Sequence, residues 1–174
     1  MSLYFITGVS ATGKSSVTHE LRKRGYVAYD TDDDALARWQ NTETGYIHPK
    51  SSVKANDRTE DFLAAHSWNV PREYLERIAV ENTAKTVFVC GVANNLDQLK
   101  DLFRNIFALT IDEATLRHRL LTRTNNDWGK QPHELAQTLK LHREALGTYQ
   151  SLGYHIIDSC QPLEKVVNDI LASI

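Results

Sequence analysis

The stretch GVSATGKS, residues 8–15, follows directly on the apolar run LYFIT, residues 3–7, and leads into a segment of helical spacing. A loop that only had to turn would need neither the lysine nor the serine. The stretch matches G-x-x-x-x-G-K-[ST] in full, in the strand–loop–helix setting the pattern requires. Gly8 and Gly13 permit backbone shapes that aim successive N–H groups inward, and Val9, Ser10, Ala11 and Thr12 carry the intervening groups. The helix N-terminus at Lys14, Ser15 and Ser16 adds its partial positive charge. Lys14 is placed to reach β- and γ-phosphates and Ser15 to ligate Mg²⁺. Residues 8–16 are therefore the expected site for the phosphates of a nucleotide.

The rest of the chain is consistent with that loop. Further strands are predicted at YVAYD (26–30), TVFVCG (86–91), IFALTI (106–111) and YHIID (154–158). Helices are predicted at 14–24, stopped by Gly25, from the DDALARW stretch, from Pro71 to about 83, over LDQLKDLF, at 113–122, at 133–150 and at the C-terminus. In the 133–150 helix Leu135, Leu139, His142, Leu146 and Tyr149 share one face. In the last helix Leu163, Val166, Val167, Ile170, Leu171 and Ile174 do. Five strands alternating with helices predict an α/β fold, a three-layer α/β/α domain with a five-stranded, mainly parallel sheet. One domain is expected over 1–174. Residues 40–69 are polar and rich in turn formers, and read as an acceptor-binding or mobile insertion.

Ligands of such sheets bind beyond the carboxyl ends of the strands, so those ends matter most. The second strand ends in DTDDD. Asp30 and Asp32, two apart, point the same way in extended chain: one can organise Mg²⁺, the other can accept a proton from an attacking hydroxyl. Asp33 and Asp34 fit an N-cap for the helix expected next. After the third strand, Gly91 lets the backbone approach a ligand. No acidic residue ends that strand, which argues against motor ATPases and GTPases that hold Mg²⁺ there. Beyond the fourth strand, Arg119 and Arg123 lie one turn apart, with Arg117 nearby; they are either a phosphate clamp or a solvated basic face. Residues 117–131 read as a lid, with Gly129 as its hinge. Asp158, Ser159 and Gln161, after the fifth strand, either border a nucleotide base or form an ordinary loop. Arg58 is either a clamp for an acidic substrate or a surface arginine. Trp39 and Trp68 either stack on a base or pack.

Composition narrows the function classes. The 174 residues carry a formal net charge of −2, with 24% charged and 41% hydrophobic residues. That balance gives no global attraction to nucleic acid or an acidic membrane. Two cysteines, Cys90 and Cys160, make no disulfide framework, and read as reduced, buried thiols of a cytoplasmic protein. No secretory leader and no membrane span is expected. The seven histidines show no metal-ligand spacing near carboxylates, and no catalytic histidine is assigned.

Taken in order, FITGVSATGKSS, YVAYDTDD, TVFVCGV, LRHRLLTR and YHIIDSCQPLEKVVNDIL resemble the P-loop small-molecule kinases of the adenylate kinase, shikimate kinase and gluconate kinase group. The likeness implies ATP with Mg²⁺ as the phosphoryl donor and a small metabolite as acceptor: a nucleoside, a nucleotide, or a polyol or sugar acid. By the same likeness Asp30 helps organise Mg²⁺, Asp32 touches the acceptor hydroxyl, and the lid arginine is Arg119 or Arg123. Shikimate kinases carry a triple glycine after the third strand where this chain has CGV, which points away from shikimate itself. The stretch DTDDDALARWQNTETG also looks like bacterial P-loop proteins known only as ATPases or nucleoside kinases. Two rivals stand beside a kinase: a nucleotide-binding regulator without an acceptor, and a nucleic-acid end kinase, which the net charge and the lack of a basic run disfavour.

Overall fold

A computed structural model describes residues 2–50, 52–124 and 126–174; residues 51 and 125, within the expected insertion and lid, lie outside that set. Strands β1 (Ser2–Thr7), β2 (Val27–Asp30), β5 (Thr86–Cys90), β6 (Asn105–Thr110) and β7 (His155–Asp158) form one sheet in the order β2-β5-β1-β6-β7. Every pairing in it is parallel. β1 lies at the centre, buried on both faces, so it reads as an unbroken apolar run.

Alternation along β1 divides the core into two layers. Leu3 and Phe5 point to one face with Val87, Val89 and Ile106, and meet Leu75 and Ile78 of α3 (Arg72–Glu81). Tyr4 and Ile6 point to the other with Phe88 and Phe107, and meet Val17 and Leu21 of α1 (Lys14–Lys23) and Val166, Val167 and Ile170 of α6 (Leu163–Leu171). This is the expected three-layer α/β/α architecture. A third cluster joins Leu116 and Leu120 of α4 (Glu113–Thr122) and Leu139 of α5 (Pro132–Ser151) to Val9 and Ala11 of the loop after β1. The two lid-side helices thus pack directly on that loop.

Local rules account for most boundaries. Gly25 (φ +85) closes α1, its N–H bonding to the carbonyl of Arg22 at 2.9 Å while the Tyr26 N–H returns to Leu21 at 3.0 Å. The Asp112 carboxylate caps α4 by accepting from the Thr115 N–H at 2.8 Å; that bond and the Thr115 hydroxyl pull its pKa down to about 2.

Several expectations are corrected. No helix follows DTDDD: residues 31–35 form turns, Ala35 takes φ +60, and β3 (Arg38–Asn41) follows. β3 pairs antiparallel with β4 (His66–Asn69), setting Trp39 opposite Trp68. Between these two strands lies α2 (Glu60–Ala65), capped by the Thr59 hydroxyl. LDQLKDLF makes two 3₁₀ turns rather than one helix. In α5, Glu134, Thr138 and Leu139 are buried, whereas Leu146 is exposed. Leu163 and Ile174 are exposed as well. Cys90 is buried as expected, but Cys160 is exposed.

Candidate functional site

The loop after β1 is shaped by its glycines. Gly8 and Gly13 lie at φ +151 and +103, and a Cβ on Gly8 would stand 2.6 Å from the Thr12 hydroxyl oxygen and 2.7 Å from the Leu109 carbonyl. Ala11 is held in the left-handed region at φ +69, at a cost of about 1–2 kcal/mol. The Thr12 hydroxyl donates to the Val9 carbonyl at 2.9 Å, and the Ser159 hydroxyl donates to the Thr12 carbonyl. Ser159 thereby ties the turn after β7 to this loop. Among the described residues, the backbone N–H groups of Gly13, Lys14 and Ser15 find no protein acceptor. Such a cluster of free donors at a helix N-terminus fits an anion. The Lys14 ammonium donates to the carbonyls of Gly8 at 2.7 Å and Val9 at 2.8 Å. Burial lowers its pKa to about 8, against the opposing pull of Asp32 and Asp30.

The second strand delivers its carboxylates differently from the extended-chain expectation. Asp30 is 3% exposed and turns under the chain, its Oδ1 accepting from the N–H groups of Asp32 at 2.9 Å and Asp33 at 3.2 Å. Asp34 caps no helix; it accepts the Asp30 N–H at 2.7 Å and pairs with Arg22 at 2.5 Å. Asp32 opens onto the cavity but is flanked by protein. That crowding raises its pKa, the Asp30 charge adds to the rise, and Lys14, the Thr31 hydroxyl and the Trp68 side chain oppose it. Gly91 also has a neighbour to clear. A Cβ there would fall 1.8 Å from the Thr31 hydroxyl oxygen, so Gly91 makes room for the turn that presents Asp32.

Both candidate arginines come to the loop. Arg123 donates to the Ser10 hydroxyl at 2.9 Å and to the Trp128 carbonyl at 2.6 Å, while its Nε is buried with no partner. Arg119 reaches within 3.9 Å of the point where a Cβ on Gly13 would lie. Arg117 instead pairs with Glu113 at 3.5 Å. Gly129 is buried, and its N–H bonds to the Glu134 carboxylate at 2.8 Å, so the expected hinge is anchored here.

A cavity of about 900 Å³ opens beside the loop, running from Gly8 and Asp32 to the β3–β4 ribbon and α5. The chain's three tryptophans all line it. Trp39 lies 5.1 Å from Trp68 and 6.2 Å from Trp128, centroid to centroid. The packing reading of Trp39 and Trp68 holds, and both side chains also line the cavity. Arg58 is not a surface arginine. It is 7% exposed and bonds to Glu134 at 2.6 Å and Asp127 at 3.1 Å, with its guanidinium 5.7 Å from the Trp128 ring centroid. It joins the 40–69 segment to the lid. Sequence reasoning missed Trp128 and Glu134. Trp128 gave a usable signal, an indole in an otherwise polar loop. Glu134 gave none, because its partner is 76 residues away.

The chain matches an AAA domain over residues 5–140, most of its length, including the loop after β1, Asp32, Arg119 and Arg123. It belongs to that AAA domain family. A protein described as "Nucleotide-binding protein", from Paracidovorax citrulli (strain AAC00-1), is 28% identical over 161 residues, 91% of this chain and 49% of that one. The chain spans about half the length of this curated relative. Among solved structures, the AAA domain resembles a shikimate kinase from Bacteroides thetaiotaomicron (16% identity, TM-score 0.61, 99% of both chains). It also resembles a gluconokinase from Sinorhizobium meliloti 1021 (21% identity, TM-score 0.57, 98% of this chain and 90% of that one). The fold is that of the P-loop small-molecule kinase group.

Proposed function

We propose that this AAA domain transfers the γ-phosphoryl group of ATP to a hydroxyl of a small metabolite. The observation that carries the reading is the convergence of Lys14, Asp32 and Arg123 from three separate elements beside one anion-binding loop. The charge of Asp32 is felt by both Lys14 and Arg123. Residues 8–16 would hold the nucleotide phosphates. Lys14 and Arg123, with Arg119 beside Gly13, would offset charge on the transferring oxygens. Asp32 would orient the acceptor hydroxyl and take its proton, a role its raised pKa suits. The kinase names of the structural neighbours support the same reading, and the "Nucleotide-binding protein" description of the P. citrulli relative supports its nucleotide-binding half.

The residues also fit Mg²⁺. Among the described residues no group of three or more His, Cys, Asp or Glu is placed to hold a metal. Mg²⁺ does not ask for one, because it keeps several waters and leans on substrate phosphates. Ser15 and Asp30 would be its protein contacts, and it would supply charge neutralisation between the phosphates. We place the reaction in the cytoplasm, where ATP is supplied; among the described residues no helix is long and apolar enough to cross a membrane.

The test is transfer of labelled γ-phosphate from Mg·ATP to separate pools of nucleosides, nucleoside monophosphates, sugar acids and polyols. A labelled product in one pool supports the kinase. Tight ATP binding with only slow release of free phosphate would instead support a nucleotide-binding regulator, the reading that the relative's description favours.

A further inference from the structure

The cavity beside Asp32 has a distinct chemical character. Its apolar surface is built around three indoles, and Trp68 sits close enough to Asp32 to influence that carboxylate. The cations along its wall are committed to the protein. Arg58 is held by Glu134 and Asp127, and Arg38 donates to the carbonyls of Ala35 and Ala37. Lys50 remains at the exposed rim, 3.4 Å from the Asp33 carbonyl. Opposing these stand the carboxylates of Asp32, Asp33, Asp97 and Glu144, all exposed along the cavity. A carboxylate or phosphate entering here would meet uncompensated negative charge and find no free guanidinium to receive it. A flat, uncharged ring would meet indole side chains, with Asp32 next to them as a hydrogen-bond acceptor for a hydroxyl.

We propose that the acceptor is an uncharged hydroxyl compound carrying an aromatic ring, of the nucleoside class, seated with its ring against Trp39 and Trp68 and its hydroxyl at Asp32. The inference rests on the kinase reading for what happens to that hydroxyl, but not for the binding itself. It separates this chain from the sugar-acid and polyol-acid substrates named for its structural neighbours. The volume is adequate: about 900 Å³ lies at the upper end of ordinary small-molecule sites, enough for a nucleoside beside a donor phosphate.

Binding is measured directly, without ATP, by isothermal titration and by quenching of tryptophan fluorescence. The probes are adenosine, guanosine, cytidine and thymidine, their 5′-monophosphates, gluconate, shikimate and choline. At least one nucleoside should bind, and at least tenfold more tightly than its own monophosphate. Trp68→Ala should weaken it at least tenfold and Trp68→Phe less than threefold. The milder Asp97→Asn, on an exposed turn, should narrow the preference over the monophosphate. Tighter binding of gluconate, shikimate, choline or a monophosphate overturns the proposal, as does the absence of binding by all four nucleosides. A nucleoside that binds but is never phosphorylated would sink the kinase reading and leave this one standing. Phosphorylation of an anionic acceptor would do the reverse.

Discussion

Lys14 shows how a single residue couples fold, protonation and function. Its ammonium is buried against the loop carbonyls with a pKa near 8 instead of 10.5. Between about pH 8 and 10.5 the unfolded chain keeps a proton that the folded chain has shed, so the stability of the free protein should rise with pH across that window. Denaturant melts of wild type and Lys14→Met at pH 7.5 and 9.5 check this; the upward slope should vanish in the variant. Function has the opposite dependence. Phosphate needs the charged amine, so kcat/KM for ATP should fall as pH rises through about 8. Replacing Lys14 by Ala should lower kcat/KM at least about a hundredfold, roughly 2.7 kcal/mol in the barrier. A loss of tenfold or less removes Lys14 from the mechanism. Asp32→Asn separates the two halves of the site. It should cut acceptor turnover about 10²–10⁴-fold, as expected for loss of a general base, while ATP affinity measured by titration stays within about threefold. A regulator would change in neither respect.

At the scale of elements, the Arg58–Glu134 pair is what the linear pattern could not reveal. Arg58 lies in a polar stretch that reads as loop and Glu134 in the first turn of α5, where it reads as a dipole-friendly acid. Their meaning comes from the packing of the β3–β4 excursion onto the lid. Glu134 is fully buried and satisfies both Arg58 and the Gly129 N–H. Glu134→Gln would leave a buried guanidinium with only the exposed Asp127, and should cost about 3–5 kcal/mol, roughly 6–20 °C in Tm for a chain of this size. The double variant Arg58→Met with Glu134→Leu should recover much of that loss. Calorimetry of wild type and the two variants decides it; equal Tm values for wild type and Glu134→Gln would show the pair to be inert. The same physics explains what was legible. α1, β1 and the loop between them follow local rules of spacing, glycine and capping, and were readable. So were all five sheet strands: burial on both faces forces apolar runs in β1, β5 and β6, and the edge strands β2 and β7 keep shorter apolar runs bounded by turn residues. β3 was not readable: RWQN has no alternation of its own, and its strand form depends on pairing with β4, far along the chain. The Asp30 turn was misread for a related reason. Its shape is set by Gly91, just beyond the end of the neighbouring β5, yielding space to Thr31.

At the scale of the whole molecule, the loop after β1 is a junction where four parts meet. The sheet presents it, α1 grows from it, Ser159 holds it from the β7 side, and Arg123 and Arg119 reach it from α4. A ligand that satisfies the free N–H groups and the orphaned Arg123 Nε therefore bonds to several elements at once, and its binding energy becomes folding energy. Mg·ATP at about a hundred times its dissociation constant should stabilise the protein by ~2.7 kcal/mol, about 5–10 °C in Tm. The dependence on residues should follow the geometry. Asp32→Asn should keep the full shift, because Asp32 faces the acceptor cavity. Lys14→Ala should lose most of it, because Lys14 belongs to the phosphate cradle. Arg123→Ala should lose part, because it removes a donor on the lid side and leaves the backbone cradle intact. Thermal melts with Mg·ATP and with Mg·ADP add the last distinction. If Arg123 serves the γ-phosphate, its removal should diminish the ATP shift more than the ADP shift. Equal diminution would move Arg123 from the transferring group to the loop itself, as a brace for Ser10.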